Sequence, residues 1–231
     1  MTEAEQNAAR LARESIAAGD PTGWFERLYA AAAVGVTGVP WDRRAPSALL
    51  VQWATDRGLQ SSPGPAAETA LIVGCGLGED AEFISSLGFG TVAFDISASA
   101  IQAARERFPG SAVAYCVADL MAPPPGWRFA YDLVVESMTL QALPEGARAV
   151  AIASLGSLVA PGGMLIVFAR GRDPDVPDDG PPWSLTRAEI EAIASGGLTL
   201  VRVDEIRDGT STAAWRWRAE FRRRSGPSAD E

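Results

Sequence analysis

The chain has 231 residues, of which 47% are hydrophobic and 21% charged, and its formal net charge is −9 at pH 7. That length is enough for one main domain with a small appendage. The negative charge gives no field that would recruit nucleic acid or an anionic bilayer, so we expect neither as a partner. No apolar run approaches the roughly 18 residues of a membrane span, and the N-terminus lacks the order of a signal peptide, so we expect a cytoplasmic protein.

Two residue types are missing from the sequence. There is no histidine, and every basic residue is an arginine, so there is no lysine. These absences exclude imidazole acid–base catalysis, Ser–His triads, histidine metal sites and Schiff-base lysines. The two cysteines, Cys75 and Cys116, are too few for a disulfide scaffold. We predict no metal site and a chemistry that needs none of these groups.

The first 68 residues have a helical pattern. Phe25, Leu28, Tyr29 and Ala32 recur at helical spacing after Pro21, and a second helical pattern follows Pro46. A stretch rich in serine, proline and glycine, residues 60–68, then breaks the pattern. We predict an N-terminal helical cap or lid over residues 1–68.

From residue 69 onward, apolar strands alternate with helical patterns. This arrangement predicts a parallel sheet covered by helices on both faces, within a core domain of residues 69–224. The predicted strands are residues 69–73, 91–95, 111–117, 131–137 and 164–170.

The C-terminal segment alternates with a period of two, which predicts an antiparallel strand with one solvent-exposed face. We predict a disordered tail over residues 225–231. The apolar positions are Trp215, Trp217, Ala219 and Phe221, and the positions of the exposed face are Arg216, Arg218, Glu220 and Arg222.

A glycine-dense turn, "VGCGLGED", follows the first strand. Glycines there allow a ligand to approach the backbone closely, while Glu79 and Asp80 in the first turn of the next helix would repel a pyrophosphate. Asp95 ends the second strand, where its carboxylate can accept hydrogen bonds from two vicinal ribose hydroxyls. A ribose without a diphosphate indicates an adenosyl cofactor.

Two further carboxylates follow strands. Asp119 comes at the end of the third strand and can accept a hydrogen bond from an exocyclic amine such as that of adenine. Glu136 ends the fourth strand, at the carboxyl edge where open parallel sheets hold ligands.

In this order, "LIVGCGLGED", "AFDIS", "CVADL", "YDLVVES" and "APGGMLIVFAR" resemble the motifs of class I S-adenosylmethionine-dependent methyltransferases. The resemblance covers about residues 69 to 170. It implies a Rossmann-like α/β fold with a seven-stranded, mostly parallel sheet, an antiparallel last strand and helices on both faces. It also implies S-adenosylmethionine as the cofactor and S-adenosylhomocysteine as the product.

The same resemblance assigns roles by position. Glu136 would face the transferring methyl group and act as an assisting base at most. The implied cofactor-binding residues are Gly74, Cys75, Gly76 and Gly78 on the methionine side, Asp95 and Ile96 at the ribose, and Asp119 and Leu120 at the adenine.

A narrower resemblance lies outside this region. "GWFERLY", "VPWD" and "GPPWSLTRAEI" look like the thiopurine and halide/thiol methyltransferase branch, in which N-terminal helices with tryptophans cover the cofactor. The chain departs from that branch at Leu28, where a second tryptophan is common, and at Ser137, where an arginine is often found. The resemblance implies cofactor contacts from Trp24 and Trp41, and acceptor contacts from Tyr29, Trp41, Ser137, Arg170 and Trp183.

The sequence therefore predicts methyl transfer by in-line displacement to a sulfur, oxygen or nitrogen atom of a small molecule, by a monomer or homodimer. One alternative is an inactive cofactor-binding or regulatory module of the same fold. A nicotinamide-dependent oxidoreductase is less well supported, because Glu79 stands where its fingerprint needs a glycine. Trp24 and Trp41 have an alternative as well, since short helices also need aromatic side chains for core packing.

Overall fold

A computed structural model describes residues 2–60, 68–178, 180–207 and 215–225. The α-helices of these residues are α1 (Glu3–Ala17), α2 (Gly23–Ala33), α3 (Ala48–Asp56), α4 (Glu79–Ser86), α5 (Ala98–Arg107), α6 (Glu145–Leu158) and α7 (Arg187–Glu191). The strands are β1 (Thr69–Val73), β2 (Gly90–Asp95), β3 (Ala114–Val117), β4 (Tyr131–Ser137), β5 (Val159–Gly171), β6 (Leu198–Arg207) and β7 (Trp215–Arg223). Short 3-10 turns lie at Pro125–Trp127 and Leu140–Ala142.

The seven strands form one sheet in the order β3-β2-β1-β4-β5-β7-β6. β2 pairs with β3, and β4 with β5, in parallel. β7 lies between β5 and β6 and is antiparallel to both. The predicted seven-stranded, mostly parallel sheet with an antiparallel last strand is therefore confirmed.

The prediction for the C-terminal strand was right on the apolar face and wrong at two positions of the other face. Trp215, Trp217 and Phe221 are buried as expected. Arg222 is exposed, as predicted, but Arg218 and Glu220 are only 8% and 5% exposed. Both lie opposite residues of the neighbouring strand β6. Arg218 compensates for its burial by donating two hydrogen bonds to Asp204 Oδ2, at 3.1 and 3.0 Å.

Strand β6 was missed by the sequence analysis. It is the last strand in the sheet order, and most of its side chains are exposed or half-buried. An edge strand of this kind carries few apolar residues, because only one side of its backbone is paired and little of its surface enters the core.

The chain divides into two compact units. The first unit comprises residues 1–67 and 72–119, and the second comprises residues 68–71 and 120–231. The predicted boundaries at residues 68 and 224 stay predictions, because this division does not test them. Of the predicted disordered tail, residues 226–231 lie outside the described residues, as do residues 61–67 of the predicted joint.

The N-terminal helices form where the helical patterns were found. Helix α1 begins with a capping box in which the Thr2 side chain accepts from the Glu5 N–H, and the Glu5 carboxylate accepts from the Thr2 N–H. Helix α2 buries Trp24, Leu28 and Tyr29. None of the helices in the described ranges has both the length and the apolar character that crossing a membrane requires.

Candidate functional site

The glycine turn and Asp95 form one hydrogen-bonded group in the first unit. The N–H of Gly76 donates to Asp95 Oδ2, and the N–H of Ser97 donates to Asp95 Oδ1, each at 2.9 Å. A backbone hydrogen bond from Ile96 also stabilises the carboxylate charge. The Asp95 side chain is therefore rigidly oriented, and its two oxygens have about four acceptor directions between them, so it can still accept a hydrogen bond from a ligand.

Burial makes the charge on Asp95 costly. The residue is 6% exposed, and burial raises its pKa from 3.8 to about 6, against the hydrogen bonds from Ser97 and Gly76, which lower it. The negative charge of Glu26 raises this pKa further. Hydroxyl donors from a ligand would favour the ionised form and so lower the pKa again.

Two aromatic side chains lie over Gly76. A Cβ atom at Gly76 would stand 2.8 Å from the Tyr29 hydroxyl, and Gly76 also has a φ of +53°, which disfavours any side chain. The indole N–H of Trp41 donates to that hydroxyl at 2.8 Å. Tyr29 is buried, whereas Trp41 is 39% exposed. The structure thus brings two predicted site residues, Tyr29 and Trp41, to the glycine turn.

Trp24 lies deeper than Trp41. It is 4% exposed, its ring stacks on Phe25 at 3.9 Å, and it meets the Trp41 ring edge-on at 6.1 Å. Its buried Nε1 has no hydrogen-bond partner in the described part of the chain. Its position is that of a packing residue behind Trp41, and the predicted contact of Trp24 with the cofactor stays a prediction.

Glu26 is a residue of this group that the sequence analysis missed. Its carboxylate accepts hydrogen bonds from the Ser97 and Ser99 hydroxyls, at 2.7 and 2.6 Å, and from the Ser99 N–H at 3.1 Å. Burial raises the pKa of Glu26, but these hydrogen bonds outweigh it and the pKa is lowered. Glu26 therefore connects helix α2 to the start of helix α5, beside Asp95. Only its place in "GWFERLY", among the residues of a buried helix face, could have indicated this role.

The acidic residues at the start of α4 hold the loop that carries Trp41. Arg107 donates to both carboxylate oxygens of Asp42 at 2.9 Å and also to Glu79. Asp80 accepts the Ser47 N–H at 2.6 Å. Glu79 and Asp80 thus lie in the first turn of α4, as predicted, and both also anchor the N-terminal segment.

The remaining predicted cofactor residues differ in their surroundings. A Cβ atom at Gly78 would stand 2.5 Å from the Tyr115 hydroxyl, so that glycine is needed for close packing. Cys75 is half-buried, and burial together with the charge of Asp95 raises the pKa of its thiol. Ile96 and Asp119 are half-buried, and Leu120 is buried. The roles of these residues stay predictions.

In the second unit, Glu136 is completely buried at the end of β4. Its Oε1 accepts from the Thr139 and Leu140 N–H groups at 2.6 and 2.9 Å. Its Oε2 is buried and has no hydrogen-bond partner among the residues described. Burial raises the Glu136 pKa from 4.5 to about 7, although both hydrogen bonds act to lower it. The group can therefore gain or lose a proton near neutral pH.

Three predicted acceptor residues lie in the same unit as Glu136. Ser137 is the last residue of β4. The Arg170 N–H donates to Gln141 Oε1, and the Trp183 N–H donates to the Gln141 carbonyl, both at 2.7 Å. Gln141, which sequence reasoning missed, is buried in the 3-10 turn that follows Glu136 and joins Arg170 and Trp183 to that turn.

Comparison with known proteins matches one family to part of the chain and finds solved structures with the same fold. A family described as a methyltransferase domain matches residues 70–163. No curated protein matches the chain. Among solved structures, a protein described as converting a disulfide bond into a thioacetal group during echinomycin biosynthesis is 23% identical, with a TM-score of 0.67 over 87% of this chain and 93% of that one.

Two further structures share the fold. The cyclase SpnF is 16% identical, with a TM-score of 0.62 over 81% of this chain and 86% of that one. Magnesium protoporphyrin IX methyltransferase from Synechocystis PCC 6803, with bound S-adenosylmethionine, is 19% identical, with a TM-score of 0.56 over 76% of each chain. The family match therefore places a methyltransferase domain at residues 70–163, and the solved structures show that the chain shares their fold.

The close approach of Tyr29 to the turn can be tested with two alanine variants. Gly76→Ala and Gly110→Ala both place a side chain at a positive φ, but a Cβ atom at Gly110 would meet nothing within 4 Å. Each should lose about 1–2 kcal/mol of unfolding free energy from backbone strain. Only Gly76→Ala should also displace Tyr29 and weaken cofactor binding, at least fivefold by calorimetry. Equal cofactor affinity in the two variants would contradict the proposed contact.

Cofactor affinity should depend on pH through Asp95. Since its pKa without ligand is about 6, Asp95 is ionised above that pH and accepts ribose hydroxyls best there. Below about pH 6 the dissociation constant should rise, by up to about tenfold per pH unit. Calorimetry between pH 5 and 7 measures this slope. The profile of Asp95→Asn should be flat, and an unchanged slope in that variant would assign the titration to another group.

Proposed function

We propose that this protein transfers the methyl group of S-adenosylmethionine to a sulfur, oxygen or nitrogen atom of a small molecule. The observation that carries this proposal is the Asp95 carboxylate, which the N–H groups of Gly76 and Ser97 fix at the end of β2 beside the glycine turn. The geometry suits the two adjacent hydroxyls of a ribose. In the narrower form of the proposal, the enzyme resembles the thiopurine and halide/thiol branch and works as a monomer or homodimer.

The described residues fit an adenosyl cofactor that carries no phosphate. Gly76 lets the Tyr29 hydroxyl lie against the turn, and Glu79 and Asp80 place negative charge at the start of α4, where a diphosphate would be repelled. When bound, S-adenosylmethionine supplies a methyl group on a positively charged sulfur, which is a good leaving group. The protein therefore mainly has to align the reactants and exclude water.

The protonation states of nearby groups restrict what each can do. Burial raises the pKa of Tyr29 well above its usual value, so its hydroxyl stays neutral and can donate a hydrogen bond. The raised pKa of Cys75 keeps that residue a thiol, which is a poor nucleophile. Glu136, at the end of β4 with one carboxylate oxygen that has no partner among the described residues and a pKa of about 7, is assigned at most an assisting role in accepting a proton from the substrate. A thiol or phenol acceptor would benefit most, because its proton leaves as the methyl group arrives.

The experiment has a binding part and a turnover part. Asp95→Asn removes the charge while keeping the side-chain shape, and it should weaken binding of S-adenosylmethionine and S-adenosylhomocysteine about tenfold or more, since hydrogen bonds to charged groups contribute about 1.5–3 kcal/mol each. The matched variant Glu136→Gln should bind both within about threefold of the parent protein. It should instead slow methylation of acceptors that must lose a proton.

Turnover is measured with methyl-labelled S-adenosylmethionine and a panel of thiols, phenols and nitrogen heterocycles. Transfer to any of them supports methyl transfer and identifies the acceptor atom. A folded protein that binds the cofactor but labels no acceptor would favour a cofactor-binding module. A folded protein that gives no heat with either cofactor form would contradict the proposal altogether.

The tryptophan of the lid can be tested separately. Trp41→Phe removes the N–H that donates to Tyr29 but keeps an aromatic ring at a position that is 39% exposed, so the fold should survive. We expect methyl-transfer turnover to fall at least tenfold, which is about 1.4 kcal/mol of barrier. Trp127→Phe, a half-buried tryptophan of the second unit, is the control and should keep its turnover. If both variants turn over equally, Trp41 only packs.

A further inference from the structure

An open groove of about 560 Å³ lies within the second unit. It is formed where β4 and β6 begin and β7 ends. Tyr131 and Glu136 are five residues apart along β4, so this end of the strand is about 17 Å from Glu136. The groove is therefore separate from Glu136. It is lined by Phe129, Pro161, Ala194, Ser195, Gly196, Gly197, Leu198, Thr199, Arg223 and Arg224.

The charged groups of this groove are all positive. Arg223 and Arg224 line the groove, and no aspartate or glutamate is among its lining residues. Arg128 directly precedes the lining residue Phe129 in the sequence, and its charge acts on Arg223. In the described part of the chain, none of the salt bridges involves these three arginines. This is unexpected in a protein with a net charge of −9, where carboxylates outnumber cations.

Arg223 is held in place while its buried Nε–H donor is unused. Its Nη2 donates to the Gly156 carbonyl, and a Cβ atom at Gly197 would stand 2.7 Å from its Nη1. Its Nε is buried and has no acceptor among the described residues. Burial and the charge of Arg128 lower the pKa of Arg223. A fixed guanidinium with an unsatisfied donor and a like charge nearby would gain from an anion.

Phe129 supports this arrangement. Its φ of +55° is unfavourable for a bulky side chain, and its N–H donates to the Ser157 carbonyl at 2.7 Å, which holds it in this conformation. The Arg223 and Arg128 guanidinium carbons lie 4.5 and 4.8 Å from the centre of its ring. One aromatic ring therefore contacts two guanidinium groups and keeps both at the same end of the sheet.

We propose that this groove binds the oxyanion group of a small molecule, a phosphate or a carboxylate, at Arg223 and Arg224. Planar guanidinium groups recognise such oxygens through paired hydrogen bonds. Pro161 and Leu198 provide an apolar surface for the rest of the ligand. The site does not depend on the proposed methyl transfer, because it involves none of its residues.

Inorganic phosphate and phenyl phosphate are suitable probes, with sodium chloride of equal ionic strength as the reference. The Nε–H groups of the arginines are followed by nitrogen-15 NMR, and the Arg223 signal is assigned from its loss in Arg223→Lys. We expect saturable shifts of this signal with phosphate and tighter binding of phenyl phosphate. Arg224→Ala should weaken binding at least fivefold by this signal, and Arg223→Lys should do so when binding is measured by calorimetry.

The control is Arg222→Ala, which removes the same charge from a neighbouring exposed residue outside the groove. It should bind both probes within twofold of the parent protein. Because Arg224 is exposed, Arg224→Ala should remain folded even if Arg223→Lys does not. Shifts that do not saturate, that chloride reproduces, or that Arg222→Ala reduces as much as Arg224→Ala would overturn the proposal.

Discussion

The candidate cofactor site depends on one buried carboxylate. Asp95 is 6% exposed, and a charge at such a place is tolerated only when it is well hydrogen-bonded. The two N–H groups that satisfy it come from Gly76 and Ser97, which lie on different segments. Their hydrogen bonds therefore fix the glycine turn to the end of β2, and they fix the orientation in which the carboxylate can accept a ligand.

The N-terminal helices are attached to this group by polar contacts. Glu26 satisfies donors at the start of α5, while Arg107 and Asp80 hold the loop that follows Trp41. An apolar contact alone would allow a helix to slide, whereas charge-assisted hydrogen bonds fix its position along the surface. The position of Tyr29 over Gly76 is thus set by carboxylates on both sides of it.

The fold could be predicted from the sequence because its signals are local. Apolar runs such as residues 69–73 and 131–137, and a glycine turn in front of a helix, each occupy a few adjacent residues. Strand β6 gave no such signal, since an edge strand needs few apolar residues. The burial of Arg218 and Glu220 was not predictable from alternation, because it depends on side chains of other elements, such as Asp204 of β6, which accepts hydrogen bonds from Arg218.

The candidate site could be predicted only in part, because only some of its residues belong to a local sequence motif. Asp95 and Gly76 carry a motif, but Glu26 meets Ser97 across 71 positions of the chain, and Arg107 meets Asp42 across 65. Contacts of that separation leave no pattern in a single sequence. Gln141 was missed because a buried glutamine, whose side chain accepts from Arg170 and whose backbone carbonyl accepts from Trp183, looks like any surface glutamine in the sequence.

The hydrogen bonds of Asp95 also provide a way to observe the turn directly. The amide hydrogens of Gly76 and Ser97 can exchange with deuterated water only when they leave the carboxylate. Their protection factors therefore measure how often the turn opens in the resting protein. Hydrogen exchange at these two amides would therefore report the opening of the turn before any substrate is known.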